Sequence, residues 1–301
     1  MKQKKLIAIC GSTASGKTSL ALELARKFNG EIIAADSRTI YREMDIGTAK
    51  PSFKERLEIP HYLIDLIDPD EEFTVAQFKE KALIAISQVY QHFKNPFLVG
   101  GTGLYLSAVI DNLNIPPVPP DKDLRKKMEI EANEYGLDFL WEKLIKIDPQ
   151  AVDFVQRQNP RRVIRALEVC LKTKKPFSAL RKKGDSLFET LKIGIKIDKK
   201  ETDQRIDQRV DKMIEKGLID EVKNLIEKYP LPSAVFHTIG YQEIISYFNK
   251  ECSLEQAIEI IKKNTKHYAR RQVTWFKKEK NINWIKDFKQ AENLTKNFLK
   301  N

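Results

Sequence analysis

Cysteine is scarce. The chain of 301 residues has three, Cys10, Cys170 and Cys252, far apart and without metal-ligand spacing. That argues against a disulfide framework or a cysteine-built zinc site and for buried thiols in a reducing, cytoplasmic compartment. Long apolar runs are absent as well. No stretch approaches the ~20 residues that cross a bilayer. The start, MKQKKLIAIC, is basic and then apolar, but its apolar part is too short for a secretory signal and reads as a first strand. There is no internal repeat and no low-complexity tail. Acidic residues fall short of basic ones, 42 against 53, for a net charge of +11. That excess implies a polyanionic partner, nucleic acid ahead of a membrane surface, with a lysine-rich compositional bias as the open alternative.

What is present is organised around residues 10–18. The run KKLIAIC leads into Gly11-Ser12-Thr13-Ala14-Ser15-Gly16-Lys17-Thr18, followed by the helix formers SLALELA. This is G-x-x-x-x-G-K-T in the context that gives it meaning: strand, glycine loop, helix. Gly11 and Gly16 allow the turn that gathers backbone N–H groups into one cavity. The helix start adds its positive dipole end. Lys17 adds a charge, and the Thr18 hydroxyl is a candidate Mg²⁺ ligand. The motif specifies two linked phosphates without saying whose.

Further on, Glu31–Asp36 reads as a second buried strand ending in an acid, and 96–99 as a third ending in Gly100-Gly101-Thr102-Gly103. Thr74 is placed to cap a helix carrying Val75, Phe78, Ala82, Ile86 and Val89. Alternating strand and helix predict a parallel sheet covered on both faces. The run Ile115-Pro116-Pro117-Val118-Pro119-Pro120 is a stiff connector. Beyond it, 121–184 is charged and helical. Residues 189–198 resume a strand, a long helix follows from Thr202, and the C-terminal third reads as helical with breaks at Pro230, Pro232 and Gly240. The expectation is an α/β core of phosphate-loop NTPase type, residues 1–115 and 189–301, with an all-helical insertion, 116–188, moving on the proline connector.

Loops of this kind usually serve ATP or GTP, with a second acid for Mg²⁺ at a neighbouring strand end. The third strand ends in Val99-Gly100-Gly101-Thr102, with no carboxylate, and Asp36 is the one acid at a strand end near the loop. One carboxylate cannot easily serve as both metal ligand and general base, which weakens a hydrolase reading. By its residues alone the chain is open to being a nucleoside or small-molecule kinase, or a non-catalytic RNA-binding module that retains a phosphate loop.

The segments GSTASGKT, ADS at 35–37, YREMDIGTAKP at 41–51, PHYLID at 60–65, VGGTGLYL at 99–106, RRVIRALEV at 161–169, GYQE at 240–243 and ARRQVTWF at 269–276, in this order, resemble bacterial tRNA dimethylallyltransferases over nearly the whole chain. The resemblance implies transfer of a dimethylallyl group from dimethylallyl diphosphate to N6 of adenosine 37, beside the anticodon, by a monomeric cytoplasmic enzyme using Mg²⁺. It implies that residues 11–18 grip the diphosphate, that Asp36 is the general base, that Arg209 contacts the diphosphate and that Thr102 lies near the reacting groups. It implies tRNA contacts, with the helical insertion clasping the anticodon stem, from four stretches: Asp36, Ser37, Arg38 and Thr39; Arg161, Arg162, Val163, Ile164 and Arg165; His237, Thr238, Ile239, Gly240, Tyr241 and Gln242; and Arg270, Arg271, Gln272, Val273, Thr274, Trp275, Phe276 and Lys277. The last stretch interleaves cations with aromatics, which suits phosphate neutralisation and base stacking. Ser12 departs from the family's usual proline and Thr39 from a common glutamine. His61 reads as a satisfied buried histidine.

Overall fold

The computed structural model describes residues 3–116, 118–180, 183–229 and 233–300. Pro117, Pro230 and Pro232, expected from sequence to stiffen or break the chain, lie outside the described residues. Contacts divide the chain into two units, one ending at Ile110 and resuming at Leu187, the other running from Asp111 to Ser186.

The first unit is built on one parallel sheet. Its strands are β1 (Lys4–Cys10), β2 (Gly30–Ala34), β3 (His61–Tyr62), β4 (Asn95–Gly100), β5 (Phe188–Ile195) and β6 (Ile282–Ile285), in the order β3-β2-β4-β1-β5-β6. Helices α1 (Lys17–Lys27), α2 (Phe53–Glu58), α3 (Val75–Gln91) and α4 (Gly103–Ile110) belong to its first half. Successive strand side chains point to opposite faces, and here both faces are buried, as parallel sheets require. Leu6, Cys10, Ile33 and Leu98 share one core with Phe78, Ala82 and Ile86 of α3 and with Leu106 and Val109 of α4. Ile7, Ile9, Ile32, Phe97 and Ile193 share the other with Leu20 and Leu24 of α1. Thr74 caps α3 as its sequence predicts, in a reciprocal box with Gln77.

The chain lays strands on one side of β1, returns to β4, then builds β5 and β6 on the other side. The crevice at such a reversal, beyond the strands' C-terminal ends, is where α/β sheets hold ligands. The register aligns Cys10 with Gly100 and Ala34 with Val99, so the phosphate loop, the Asp36 turn and the glycine turn leave the sheet at one edge.

The second unit holds α5 (Lys122–Tyr135), α6 (Leu137–Ile147), α7 (Pro160–Thr173) and α8 (Phe177–Leu180), around Leu140, Leu144, Val163, Ile164 and Leu167. Residues 111–115, expected from sequence to belong with the core, run beside 183–185: Asn112 pairs with Gly184 and Asp185, and Leu113 bridges to Lys183.

The first unit then adds α9 (Lys199–Glu215), α10 (Leu218–Lys228), α11 (Tyr241–Phe248), α12 (Leu254–Phe276) and α13 (Phe288–Lys300). Two expectations are corrected here. The long helix from Thr202 is two helices, because Gly217 at φ +95° turns the chain between α9 and α10. The C-terminal third is not wholly helical, since β6 pairs with β5 at the sheet edge.

Candidate active site

The phosphate loop is shaped by left-handed backbone at Ala14 (φ 59°) and Gly16 (φ 91°). A Cβ at Gly11 would meet Ser15 Oγ at 2.9 Å. Lys17 Nζ reaches back to the Ser12 carbonyl, and the first turn of α1 leaves N–H groups without helical partners. Burial lowers the Lys17 ammonium to about 8, opposed by Asp36 and reinforced by Arg209.

The glycines of the β4 turn each admit a close neighbour. A Cβ on Gly100 would stand 2.0 Å from the Ala35 carbonyl oxygen, one on Gly101 2.3 Å from Gln272 Nε2, and one on Gly103 2.3 Å from the Trp275 indole. The turn is thereby pressed between the residue before Asp36 and helix α12. Thr102 fastens it: its Oγ1 accepts from the Ser37 N–H at 3.1 Å, and its hydroxyl lies beside the Tyr268 phenol, opposing the rise in that group's pKa. Asp36 Oδ1 accepts from the Arg38 N–H at 2.8 Å, closing the turn that carries the carboxylate.

Two cavities meet at this carboxylate. The smaller, about 110 Å³, is lined by Lys17 and Thr18 of the loop, by Thr39, and by Ile32, Ala34 and Val99. The larger, about 370 Å³, is lined by Ser37, Arg38, His237, Gln242 and Arg271, with Val210, Met213, Ile239 and Ile261. Thr13, Asp36, Thr48, Arg209 and Tyr268 line both. Burial lowers the Arg209 guanidinium's pKa, opposed by Asp36, and the group donates to the Thr48 carbonyl at 3.4 Å. Burial also pushes Tyr268 up to about 12, so it stays a neutral phenol. Loop 45–47 is pinned from α10, where Glu221 accepts N–H bonds from Asp45, Ile46 and Gly47.

Helix α12 is a partition. Ile261, Thr265, Tyr268 and Arg271 face the larger cavity. Lys266, Arg270, Val273, Thr274 and Lys277, on the opposite face, line a third cavity of about 930 Å³ that also touches Gly11, Ser12 and Trp284. The 270–277 stretch is therefore split: Arg271 faces the catalytic side and Arg270 and Lys277 the other, while Gln272 and Phe276 are buried and Trp275 packs into the core beneath α3 and α4.

Other expected contacts are internal. Tyr241 is fully buried and donates to Glu221 at 2.6 Å, whereas its neighbours His237, Thr238, Ile239, Gly240 and Gln242 line the larger cavity. In the second unit Val163 and Ile164 are core, and Arg165 is paired with the fully buried Glu168 and the Val118 carbonyl. Arg161 and Arg162 are exposed. Thr102 lines neither cavity and acts behind Asp36. Thr39 Oγ1 and His61 Nε2 are buried without hydrogen-bond partners among the described residues, so His61 is only half satisfied, through the Ile59 carbonyl. Sequence reading missed Tyr268 and met Thr48 only within the 41–51 motif, without a role. Tyr268 was detectable from helical spacing, one turn before Arg271 and Gln272.

The family model described as IPP transferase matches residues 39–279. A tRNA dimethylallyltransferase of Acetivibrio thermocellus is 47% identical over 298 residues, covering 97% of this chain and 95% of that protein. One from Halothermothrix orenii is 46% identical, covering 98% and 93%. The crystal structure of a tRNA isopentenylpyrophosphate transferase from Bacillus halodurans superposes with a TM-score of 0.73 at 40% identity, covering 99% of this chain and 96% of that one. A eukaryotic dimethylallyltransferase, solved acting on tRNA, superposes with a TM-score of 0.81 at 32% identity, covering 98% and 77%.

Proposed function

The chain belongs to the IPP transferase family, and from that premise we infer that it transfers a dimethylallyl group from dimethylallyl diphosphate to N6 of adenosine 37 in tRNA, releasing diphosphate. One observation carries the assignment of roles: Asp36 stands where a phosphate-gripping cavity meets a larger cavity with basic and apolar walls.

The diphosphate occupies the smaller cavity, held by the loop N–H groups, Lys17 and Arg209. As the bond between the donor's C1 and its bridging oxygen breaks, these groups stabilise the charge on the departing diphosphate. The adenine enters the larger cavity, flipped from the anticodon loop. Its N6 lone pair is delocalised into the ring and makes a poor nucleophile. N6 forms the new bond to C1 and gives its proton to the Asp36 carboxylate. Thr102 and Tyr268 hold the Asp36 turn in place. Arg38 and Arg271 meet RNA phosphates at the cavity rim, and the exposed Arg161 and Arg162 of the helical unit meet the stem.

Among the described residues no cluster of three or more His, Cys, Asp or Glu side chains could hold a metal. A phosphate-borne Mg²⁺, which keeps most of its waters and takes one or two protein oxygens, fits the Thr18 hydroxyl, which lines the smaller cavity and leaves Asp36 free to act as the base. When bound, it would neutralise charge on the diphosphate.

The test uses dimethylallyl diphosphate labelled in its prenyl carbon and an anticodon hairpin. Label should move to the RNA with the wild type. For Asp36→Asn the rate should fall on the order of 10²–10⁴-fold, with hairpin affinity within about threefold of wild type. No label on RNA, or full activity in the variant, overturns the reading. A kinase would instead bind ATP and transfer phosphate.

A further inference from the structure

We propose that Gln272 is a positioning residue that fixes the phosphate loop to helix α12 and so sets the loop's grip on diphosphate. The reaction it serves rests on the function proposed above; its binding test does not.

Gln272 is buried, 6% exposed, and both ends of its amide are used within the protein. Its Oε1 accepts from the Thr13 N–H at 2.7 Å, and its Nε2 donates to the Gly101 carbonyl at 2.9 Å. The two bonds require opposite ends of the amide, so one orientation satisfies both. The approach is built into the partner residues. A Cβ on Gly101 would stand 2.3 Å from Gln272 Nε2 and 3.4 Å from the Gly11 carbonyl oxygen, so the two loops run side by side with the amide as spacer. One turn earlier on the same face, Tyr268 lies beside the Thr102 hydroxyl. Consecutive turns of α12 thus hold consecutive residues of the glycine turn, and Gln272 extends that hold to the phosphate loop.

The consequence for binding is specific. With its N–H bonded to Gln272, Thr13 gives that donor to the amide instead of to the anion, and its loop is held by a neutral group. The anion then meets Lys17, Arg209 and the N–H groups at the start of α1. Loss of the amide frees the loop to relax toward Gly101.

Wild type, Gln272→Leu and Gln272→Glu are compared by calorimetric binding of inorganic pyrophosphate, by kcat and KM for dimethylallyl diphosphate at saturating hairpin, and by thermal melting. Loss of both bonds in Gln272→Leu should weaken pyrophosphate binding about tenfold and raise the donor KM, with hairpin affinity unchanged. Gln272→Glu at neutral pH should also bind weakly, because a carboxylate cannot donate to the Gly101 carbonyl. On acidification the protonated side chain regains one donor and one acceptor, and its binding, relative to wild type at each pH, should recover. Relief of anion repulsion would contribute to that recovery, so Gln272→Met, which keeps the volume without either bond, is the control: it should bind as weakly as Gln272→Leu, and wild-type binding in it would mean that the side chain merely fills space. Wild-type pyrophosphate binding in Gln272→Leu, or a flat relative pH profile in Gln272→Glu, overturns the proposal. If Gln272→Leu fails to fold, Gln272→Met decides. If pyrophosphate binding depends on Gln272 while no prenyl group reaches RNA, the function reading fails and this one stands.

Discussion

Lys17 shows what crowding does to one charge. Its ammonium is held at about 8 by burial, with Asp36 pulling it up and Arg209 pushing it down. A bound anion favours the protonated form, so the sign of the pH dependence follows. Pyrophosphate should bind best below about pH 8 and weaken toward tenfold per pH unit above it, the limit for loss of one required proton. Calorimetry across that range should show the break in wild type. Lys17→Met should bind weakly throughout and show none. The Asp36 carboxylate, the other pole of the site, is held by local bonds: the Arg38 N–H on one oxygen and the Thr102 brace on the following residue.

Among elements, the β4 turn and α12 depend on each other. Gly103→Ala would place a methyl 2.3 Å from the Trp275 ring. The indole sits against a packed core, so the strain should cost about 1–3 kcal/mol. A lowered melting temperature with altered Trp275 emission would report it. The glycine loop, the strand that leads to Asp36 and the Thr74 cap were legible in sequence because each rests on local chemistry, although that strand ends at Ala34 and leaves Asp36 in the following turn. The break at Gly217 was not, since the apolar period of α9 carries on into α10 while one glycine reverses the chain. Nor was β6, four residues that gain strand character only by pairing with β5. Glycine spacing told of a turn at 100–103 but not that each glycine had a partner distant in sequence. In RRVIR the basic residues read as one RNA contact. The helix sends Val163 and Ile164 inward and ties Arg165 to the buried Glu168.

At the scale of the whole molecule, a net charge of +11 should act through phosphates. If about four are neutralised, hairpin affinity should fall on the order of 100-fold between 50 and 200 mM salt. Filter binding across a salt series would measure the slope, and a flat response would remove the electrostatic footprint. Charge reversal at Arg161 and Arg162, exposed on the helical unit, should lessen that slope without changing pyrophosphate binding. Among the described residues no helix is long and apolar enough to cross a membrane.

The two-sided character of α12 carries an evolutionary corollary. Each added or deleted residue turns the remainder of a helix by about 100°. A one-residue deletion between Ile261 and Tyr268 would rotate every later side chain into another's compartment and leave Gln272 out of reach of Thr13. Point changes on either flank are local adjustments, whereas length changes rewire the partition, so this helix should keep its residue count through lineages whose surfaces drift freely.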